Sequence, residues 1–234
     1  MSTSDCQLRY IMSIKKEQLL RLAKLRQSKN YEGYFNLEHF DNGLWECDFV
    51  SPFSKSSHNE NSDILLVLQD WSSVEGLEVT FDQESFDLGY DPKLRTNINM
   101  IQLLTEYFGK DLNDVYTTNL FPYIKSGAMN SSIGTKHMNL AACEFTLPMI
   151  DIIKPRLVIC FGISTFNALR KALGHRKVDR IADGIDDVFQ YKNSLIYCQS
   201  HPGQLGKNNR NRGSVDRVND DWRKMKHDFD SMSS

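Results

Sequence analysis

The chain lacks the sequence features that mark several large classes of protein. Its longest uninterrupted aliphatic run is Ile64–Leu68, which is far too short to cross a bilayer. The N-terminal region carries several basic residues but no apolar stretch of signal-peptide length. Neither a P-loop (GxxxxGKS or GxxxxGKT) nor a GxGxxG motif occurs. We therefore expect a protein outside the membrane, cytoplasmic or, in a eukaryote, nuclear, without the usual loops for nucleotide phosphates.

Cysteine is sparse and scattered. The five cysteines are an odd number, and no two of them are spaced as C-x-x-C. Structural zinc sites and iron–sulfur clusters need clustered thiolates. We therefore expect reduced thiols that serve mostly as packing residues, and neither a metal nor any other cofactor.

The composition that is present is typical of a folded globular chain. Of 234 residues, 40% are hydrophobic and 25% are charged, which allows a full hydrophobic core. Lysine and arginine number 28 and aspartate and glutamate 30, so the formal net charge is -2. Net charge alone thus gives no indication of a nucleic-acid partner, and any basic surface must be local.

The first part of the chain differs in pattern from the rest. Residues 14–28 place apolar side chains at helical spacing between lysines and arginines, which predicts an amphipathic helix. Residues 31–53 are rich in aromatic side chains. We interpret residues 1–60 as an N-terminal helical and aromatic layer packed on the core, and residues 61–230 as the main domain.

From Asp63 onward, short apolar runs alternate with helical stripes. Strands are predicted over 63–69, 115–120, 156–161 and 194–199, and helices over 98–108, 137–153 (kinked at Pro148), 164–173 (capped by Ser164) and 213–229. Continuous apolar strands of this kind are buried on both faces of a parallel sheet. The alternation predicts an α/β fold, with three layers, α/β/α, around a four-stranded parallel sheet.

The residues directly after these strands are the candidates for function, because ligands of such sheets bind outside the carboxyl ends of the strands. They are Gln69-Asp70-Trp71-Ser72-Ser73, Asn119-Leu120-Phe121-Pro122-Tyr123, Phe161-Gly162-Ile163-Ser164-Thr165 and Ser200-His201-Pro202-Gly203. Considered singly, each has a commoner role as a strand-end cap or a turn residue. Together they place a carboxylate, an amide, a glycine–serine turn and an imidazole at one edge.

Four segments, in this order, resemble the uracil-DNA glycosylase superfamily: QDWSS, TTNLFPY, KPRLVICFGISTFNAL and SHPGQL. The resemblance covers roughly residues 60–227 and implies the strand order 2-1-3-4. It also implies that the loop after His201 enters the minor groove of DNA, where Leu205 fills the gap left by an extruded base. Lys207, Arg210 and Arg212 would then hold phosphates.

The chemistry of base release needs the residue types found at this edge. Cleaving the bond between sugar and base leaves positive charge on the sugar and negative charge on the base. Asp70 is the candidate that stabilises the sugar cation and orients water, and His201 is the candidate donor to O2 of the base. Asn119 can pair both a donor and an acceptor with the uracil edge. The remaining candidates are Gln69 and Trp71 beside the base, and Ser72, Ser73, Ser164 and Ser200 on the phosphates.

Two positions depart from the family pattern. The best-known enzymes carry Pro-Tyr after the catalytic aspartate, where the tyrosine excludes the methyl group of thymine, whereas Trp71 and Ser72 stand here. Another base or a damaged pyrimidine could therefore fit. The ring that stacks on uracil should follow Asp70 at a short distance, which leaves Phe81 and Phe86, of which Phe81 is nearer. The cysteine spacing rules out the iron–sulfur branch of the family.

The sequence thus predicts a monofunctional hydrolase of base-excision repair. It would act as a monomer and remove uracil, or a related pyrimidine, from single- or double-stranded DNA. Two alternatives remain open. A catalytically inactive protein of the same fold would bind nucleic acid with strong salt dependence and release no base. An unrelated nucleotide-processing hydrolase would act on free nucleotides, since fold does not determine function.

Overall fold

The computed structural model describes residues 3–78, 81–213 and 215–232. The helices are α1 (Thr3–Ser28), α2 (Val74–Leu77), α3 (Gln83–Leu88), α4 (Arg95–Phe108), α5 (Thr135–Ala141), α6 (Leu147–Ile153), α7 (Ile163–Ala172), α8 (Ile181–Asp186), α9 (Gln204–Arg210) and α10 (Arg217–Ser231). The strands are β1 (Tyr34–Phe35), β2 (Ile64–Asp70), β3 (Tyr116–Phe121), β4 (Ile124–Lys125), β5 (Leu157–Phe161), β6 (Phe189–Tyr191) and β7 (Ser194–Gln199).

The main sheet has five strands in the order β3-β2-β5-β7-β6. The pairs β2–β3, β2–β5 and β5–β7 are parallel, and β6 adds to β7 in the antiparallel sense. The predicted sheet of four strands is therefore wrong by one strand. Strand β6 has no signal in the sequence, because its three residues are too few to show an alternation of apolar and polar side chains.

Helices cover both faces of this sheet. Successive residues of a strand point to opposite faces, so Ile64, Leu66 and Leu68 pack in one core cluster with side chains of α4 and α10. Leu65 and Val67 pack in the other cluster, with side chains of α1, α5, α6 and α7. The α/β class predicted from the alternation is confirmed.

The helix predicted over 137–153 is interrupted. Helix α5 continues into one π-helical turn, Ala142–Thr146, before α6 begins. Pro148 lies in the first turn of α6, where its missing N–H removes no hydrogen bond that the helix needs. The regular helix is thus interrupted by a π turn that ends two residues before Pro148, the residue at which the sequence predicts a kink.

Helix α7 begins differently from the prediction. Gly162, with φ of 89°, is its N-cap, and Ser164 lies inside its first turn without capping it. A residue with a side chain would be strained at this φ, so glycine allows the sharp passage from β5 into α7.

The N-terminal segment packs against the core. Leu19 of α1 and Tyr31 pack in the cluster beneath the α5–α7 face. Strand β1 forms a short antiparallel sheet with β4, in which Tyr34 pairs with Lys125. The division into residues 1–60 and 61–230 stays a prediction. Within the described ranges, no helix is both long and apolar enough to cross a membrane.

Candidate active site

Asp70 and Asn119 lie at the same edge and on the same face of the sheet. Leu68 pairs with Asn119 in the parallel register of β2 and β3, and Asp70 pairs with Phe121. Because paired residues point to the same face and alternate residues share a face, the side chains of Asp70 and Asn119 both extend toward the face covered by α4. The sequence prediction that these strand ends converge is consistent with this register.

Both oxygens of Asp70 have a neighbouring donor. Gln69 donates from Nε2 to Oδ1 at 3.0 Å. The ammonium of Lys125 lies 2.7 Å from Oδ2, with side chains only 7% and 3% exposed for Asp70 and Lys125. This second contact lacks hydrogen-bond geometry at Oδ2, so we treat it as a charge–charge pair. The carboxylate is thus buried and electrostatically paired rather than isolated.

Lys125 also lies at this strand end, although the sequence does not point to it. It stands in β4, and the pairing of β4 with β1 directs it back toward the end of β2, where Ser73 forms an isolated bridge to it. Its ammonium also donates to the carbonyl of Met129 at 2.5 Å. Nothing in the sequence around Lys125 indicates this return, because it depends on pairing with a two-residue strand from the N-terminal segment.

Asn119 is 1% exposed and its amide oxygen is already engaged. The hydroxyl of Ser51 donates to Oδ1 of Asn119 at 2.5 Å. No hydrogen bond joins the amide nitrogen to another residue that the structure describes. The turn that carries Ser51, a 3₁₀ segment over Pro52–Ser56, lies beside β3 and covers this part of the edge.

His201 is held in one tautomer by the turn that follows it. The N–H of Gly203 donates to Nδ1 of His201 at 3.1 Å, so in the neutral ring the proton is on Nε2. The residue is exposed by surface area, yet enough protein surrounds the ring that desolvation lowers its pKa, an effect the nearby Asp70 carboxylate opposes. A neutral imidazole with a free Nε2–H can donate one hydrogen bond to a ligand.

The His-Pro-Gly turn is anchored to α4 and to the start of α9. Asn99 of α4 donates from Nδ2 to the carbonyl of Pro202 at 2.7 Å. A Cβ atom on Gly206 would lie 2.1 Å from the carbonyl oxygen of His201, so only glycine permits this contact. These contacts keep His201 at the edge of the sheet.

Leu205 projects into solvent from the first turn of α9. It is 75% exposed, the highest value among the large hydrophobic side chains that are described. The family resemblance predicts that Leu205 lies in a loop, whereas in the structure it lies on a seven-residue helix. A short helix holds the side chain in a more defined direction than a loop would.

The three basic residues behind Leu205 differ in environment. Arg210 makes a bidentate ion pair with Asp221, at 2.6 and 2.8 Å, and both side chains are largely buried. Arg212 is exposed and donates to the amide oxygen of Asn209. Neither Arg212 nor Lys207 forms an ion pair with a described residue. Lys207 and Arg212 are therefore available to phosphates, whereas Arg210 serves to attach α9 to α10.

The four candidate serines are not equivalent. Ser72, Ser73 and Ser200 are buried, and Ser73 caps α2 by accepting from the N–H of Gly76 at 3.2 Å. Ser164 is exposed in the first turn of α7. Of the four, only Ser164 is positioned to meet a phosphate without movement of the protein.

The aromatic candidates cluster with one another. Trp45 lies 5.3 Å from the ring of Trp71 and 5.6 Å from that of Phe81, and Phe86 joins the same group. The indole of Trp71 donates to the carbonyl of Gly89 at 2.8 Å. Phe81 remains 40% exposed. These rings flank the strand end as a hydrophobic cluster, and none of their recorded contacts is with Asn119 or His201.

No group of metal-ligating side chains is found in the part of the chain that the structure describes. The four cysteines with described side chains are free thiols, and Cys160 and Cys198 are neighbours across β5 and β7.

A surface cavity of about 410 Å³ lies on the N-terminal segment, against Lys24 and Glu46, away from the strand ends. The chemistry-bearing residues thus concentrate at the sheet edge.

Comparison with known proteins does not assign this site to a family. No protein-family model matches the chain, and no curated protein matches it.

Proposed function

We propose that this protein is a DNA glycosylase that hydrolyses the N-glycosidic bond of uracil, or of a related pyrimidine, flipped out of DNA. The observation that carries the proposal is the position of Asp70, Asn119 and His201 at or just after the carboxyl ends of β2, β3 and β7, on one edge of the sheet, with the exposed Leu205 four residues beyond His201. The order of the four parallel strands, β3-β2-β5-β7, also supports a uracil-DNA glycosylase-like fold.

The three polar residues match the charge changes of base release. Asp70 supplies an anion where the sugar becomes positive, and His201 supplies an Nε2–H donor where the base becomes negative. Asp70 ends β2 and His201 follows β7, the two strands on either side of β5, and the Asp70 charge acts to raise the pKa of His201 against the larger effect of burial. Asn119 has a free amide nitrogen that can donate to a base carbonyl. Water adds to the sugar carbon, the bond to the base breaks, and the proton of that water passes to the protein or to solvent.

Leu205 supports the extrusion step. Extruding a base costs a few kcal/mol, and fully burying an exposed leucine recovers about 1.5–3 kcal/mol. The two energies are similar in size, so a 75% exposed leucine can offset much of the cost when it enters the stack. Lys207 and Arg212 then contact the phosphates on either side.

The Lys125–Asp70 pair shapes how Asp70 would act. Each carboxylate oxygen has more than one lone pair, so Asp70 can still accept from a water while Gln69 and Lys125 hold it. The ammonium also supplies the counter-charge that a buried carboxylate needs. The same neutralisation reduces the negative charge that the sugar would experience.

That reduction favours the second candidate function, a nucleic-acid-binding protein without catalysis. Asp70 and Asn119 are nearly buried, and Asp70 is paired, as expected of side chains that only stabilise the fold. This protein would bind DNA through Lys207 and Arg212, with affinity that falls steeply with salt.

Incubation with oligonucleotides that contain one uracil, single- and double-stranded, separates the two functions. Alkali then cleaves the strand at any abasic site. A glycosylase yields cleaved strand from the uracil oligonucleotide and none from a matched thymine oligonucleotide. Binding without cleavage at any pH supports the second candidate.

A further inference from the structure

Ser51 fixes the orientation of the Asn119 amide. The Ser51 oxygen accepts from the N–H of Phe53 at 3.2 Å, and its hydroxyl faces Oδ1 of Asn119 at 2.5 Å. Because a carbonyl oxygen can only accept, the hydroxyl hydrogen must point at Oδ1. Both residues are buried, so water does not compete for this bond.

The reverse orientation of the amide is disfavoured. If the Asn119 side chain flipped, its NH₂ group would face the Ser51 oxygen, and the Ser51 hydroxyl hydrogen would lose its acceptor. No other acceptor for this hydroxyl is recorded among the described residues. A buried hydroxyl without an acceptor is costly. The amide nitrogen is therefore the group left to meet a ligand.

The N-terminal segment holds Ser51 in place. The fully buried Arg26 of α1 donates to the carbonyls of Cys47 and Phe49 at 2.9 and 3.0 Å. On the other side of Ser51, the hydroxyl of Ser54 donates to the carbonyl of Thr117 at 2.7 Å. Ser51 thus lies between two anchored points, one on α1 and one on β3.

We propose that Ser51 is a positioning residue that sets the base preference of the site. This inference rests on the proposed function. With Oδ1 held by Ser51, the Asn119 nitrogen presents donors to the 4-position of a pyrimidine. Uracil has a carbonyl acceptor there, whereas cytosine has an amino donor that would face another donor. Ser51 therefore favours uracil over cytosine, and the N-terminal segment takes part in base selection.

The test compares Ser51→Ala with Ser54→Ala. Both hydroxyls are fully buried in the same turn and both donate to β3, but only Ser51 contacts the Asn119 side chain. The probes are duplexes with one 2′-fluoro-deoxyuridine or one 2′-fluoro-deoxycytidine, whose electron-withdrawing fluorine suppresses cleavage. Fluorescence anisotropy gives the ratio of the two affinities, and thermal unfolding gives the stability of each variant.

We expect the native chain to prefer the uracil probe. Ser51→Ala should lower the uracil-to-cytosine ratio about tenfold, the scale of one base-edge contact. Ser54→Ala should lose stability yet keep the native ratio. Ser51→Cys has a weaker donor and should give an intermediate ratio. If Ser51→Ala does not fold, the ratio measured for Ser51→Cys tests the role of Ser51 instead.

Each failure has a distinct signature. An unchanged ratio in Ser51→Ala and Ser51→Cys overturns the role of Ser51, as does a native chain with no preference between the probes. Release of uracil from an unfluorinated duplex by the native chain, measured in parallel, decides the proposed function separately. A native preference that Ser51→Ala removes, without any base release, would support the role of Ser51 and refute the glycosylase.

Discussion

Replacing Lys125 by methionine tests whether the buried ion pair serves Asp70. The substitution keeps a similar volume but leaves a carboxylate, 7% exposed, without its counter-charge. Breaking a buried pair from one side costs about 3–5 kcal/mol. A domain is stable by about 5–15 kcal/mol in total. We therefore expect Lys125→Met to fold with a Tm lower by roughly 6–20 °C.

The substitution should also slow base release. Lys125 and Gln69 together hold the Asp70 carboxylate at the end of β2. Without the ammonium, the buried anion that the sugar cation needs loses its counter-charge and one of its two neighbours. We expect Lys125→Met to release base more slowly than the native chain.

Arg210→Met is the matched control, because Arg210 also belongs to a buried ion pair, with Asp221. It should lose stability by a similar amount and keep the native rate of base release. The assay is single-turnover base release at one neutral pH, together with thermal unfolding. If Lys125→Met releases base as fast as the native chain, Lys125 has only a structural role and the reasoning about charge at Asp70 is refuted.

Three further predictions concern the segment after β7. Leu205→Ala should slow release of a paired uracil by about 10- to 100-fold, in line with about 1.5–3 kcal/mol, and slow an unpaired uracil much less; equal effects would refute a wedge. Lys207→Ala with Arg212→Ala should reduce the slope of log affinity against log salt by up to about two, and an unchanged slope would exclude both phosphate contacts. Burial lowers the pKa of His201 in the folded chain below its ordinary value of 6.5. The stability linked to the neutral ring is therefore complete above pH 6.5, and it is lost as the pH falls through the lower folded pKa. Base release should fall over the same acidic range, because a protonated ring cannot accept from Gly203, and a rate that rises there would contradict a neutral donor.

Much of the sheet could be predicted from the sequence because the strands are continuous apolar runs. The run at 63–69 corresponds to Ile64–Asp70, and the run at 194–199 to Ser194–Gln199. The helix predicted over 98–108 ends as predicted, with Gly109 as its left-handed C-cap. Strand β6 and the π turn could not be predicted, because three residues and a single turn are too short to show a periodicity.

The candidate site was predictable only where it follows a strand. Asp70, Asn119 and His201 follow apolar runs, so topology alone brings them to one edge. Ser51 and Lys125 reach that edge through a turn and a two-residue strand, and neither has a sequence signal. The sequence predicts that Arg210 binds a phosphate, whereas in the structure it pairs with Asp221. The pair could not be read from the sequence, because Asp221 lies eleven positions away on another helix.

The most direct test of the account is single-turnover release of uracil by the native chain and by Asp70→Asn, with affinity for the same duplex measured in parallel. The anion at Asp70 acts mainly in the transition state, so the variant should lose nearly all base release while its affinity stays within a few-fold of native. Native release that Asp70→Asn leaves undiminished would contradict the role of Asp70. Absence of release by the native chain would contradict the glycosylase itself.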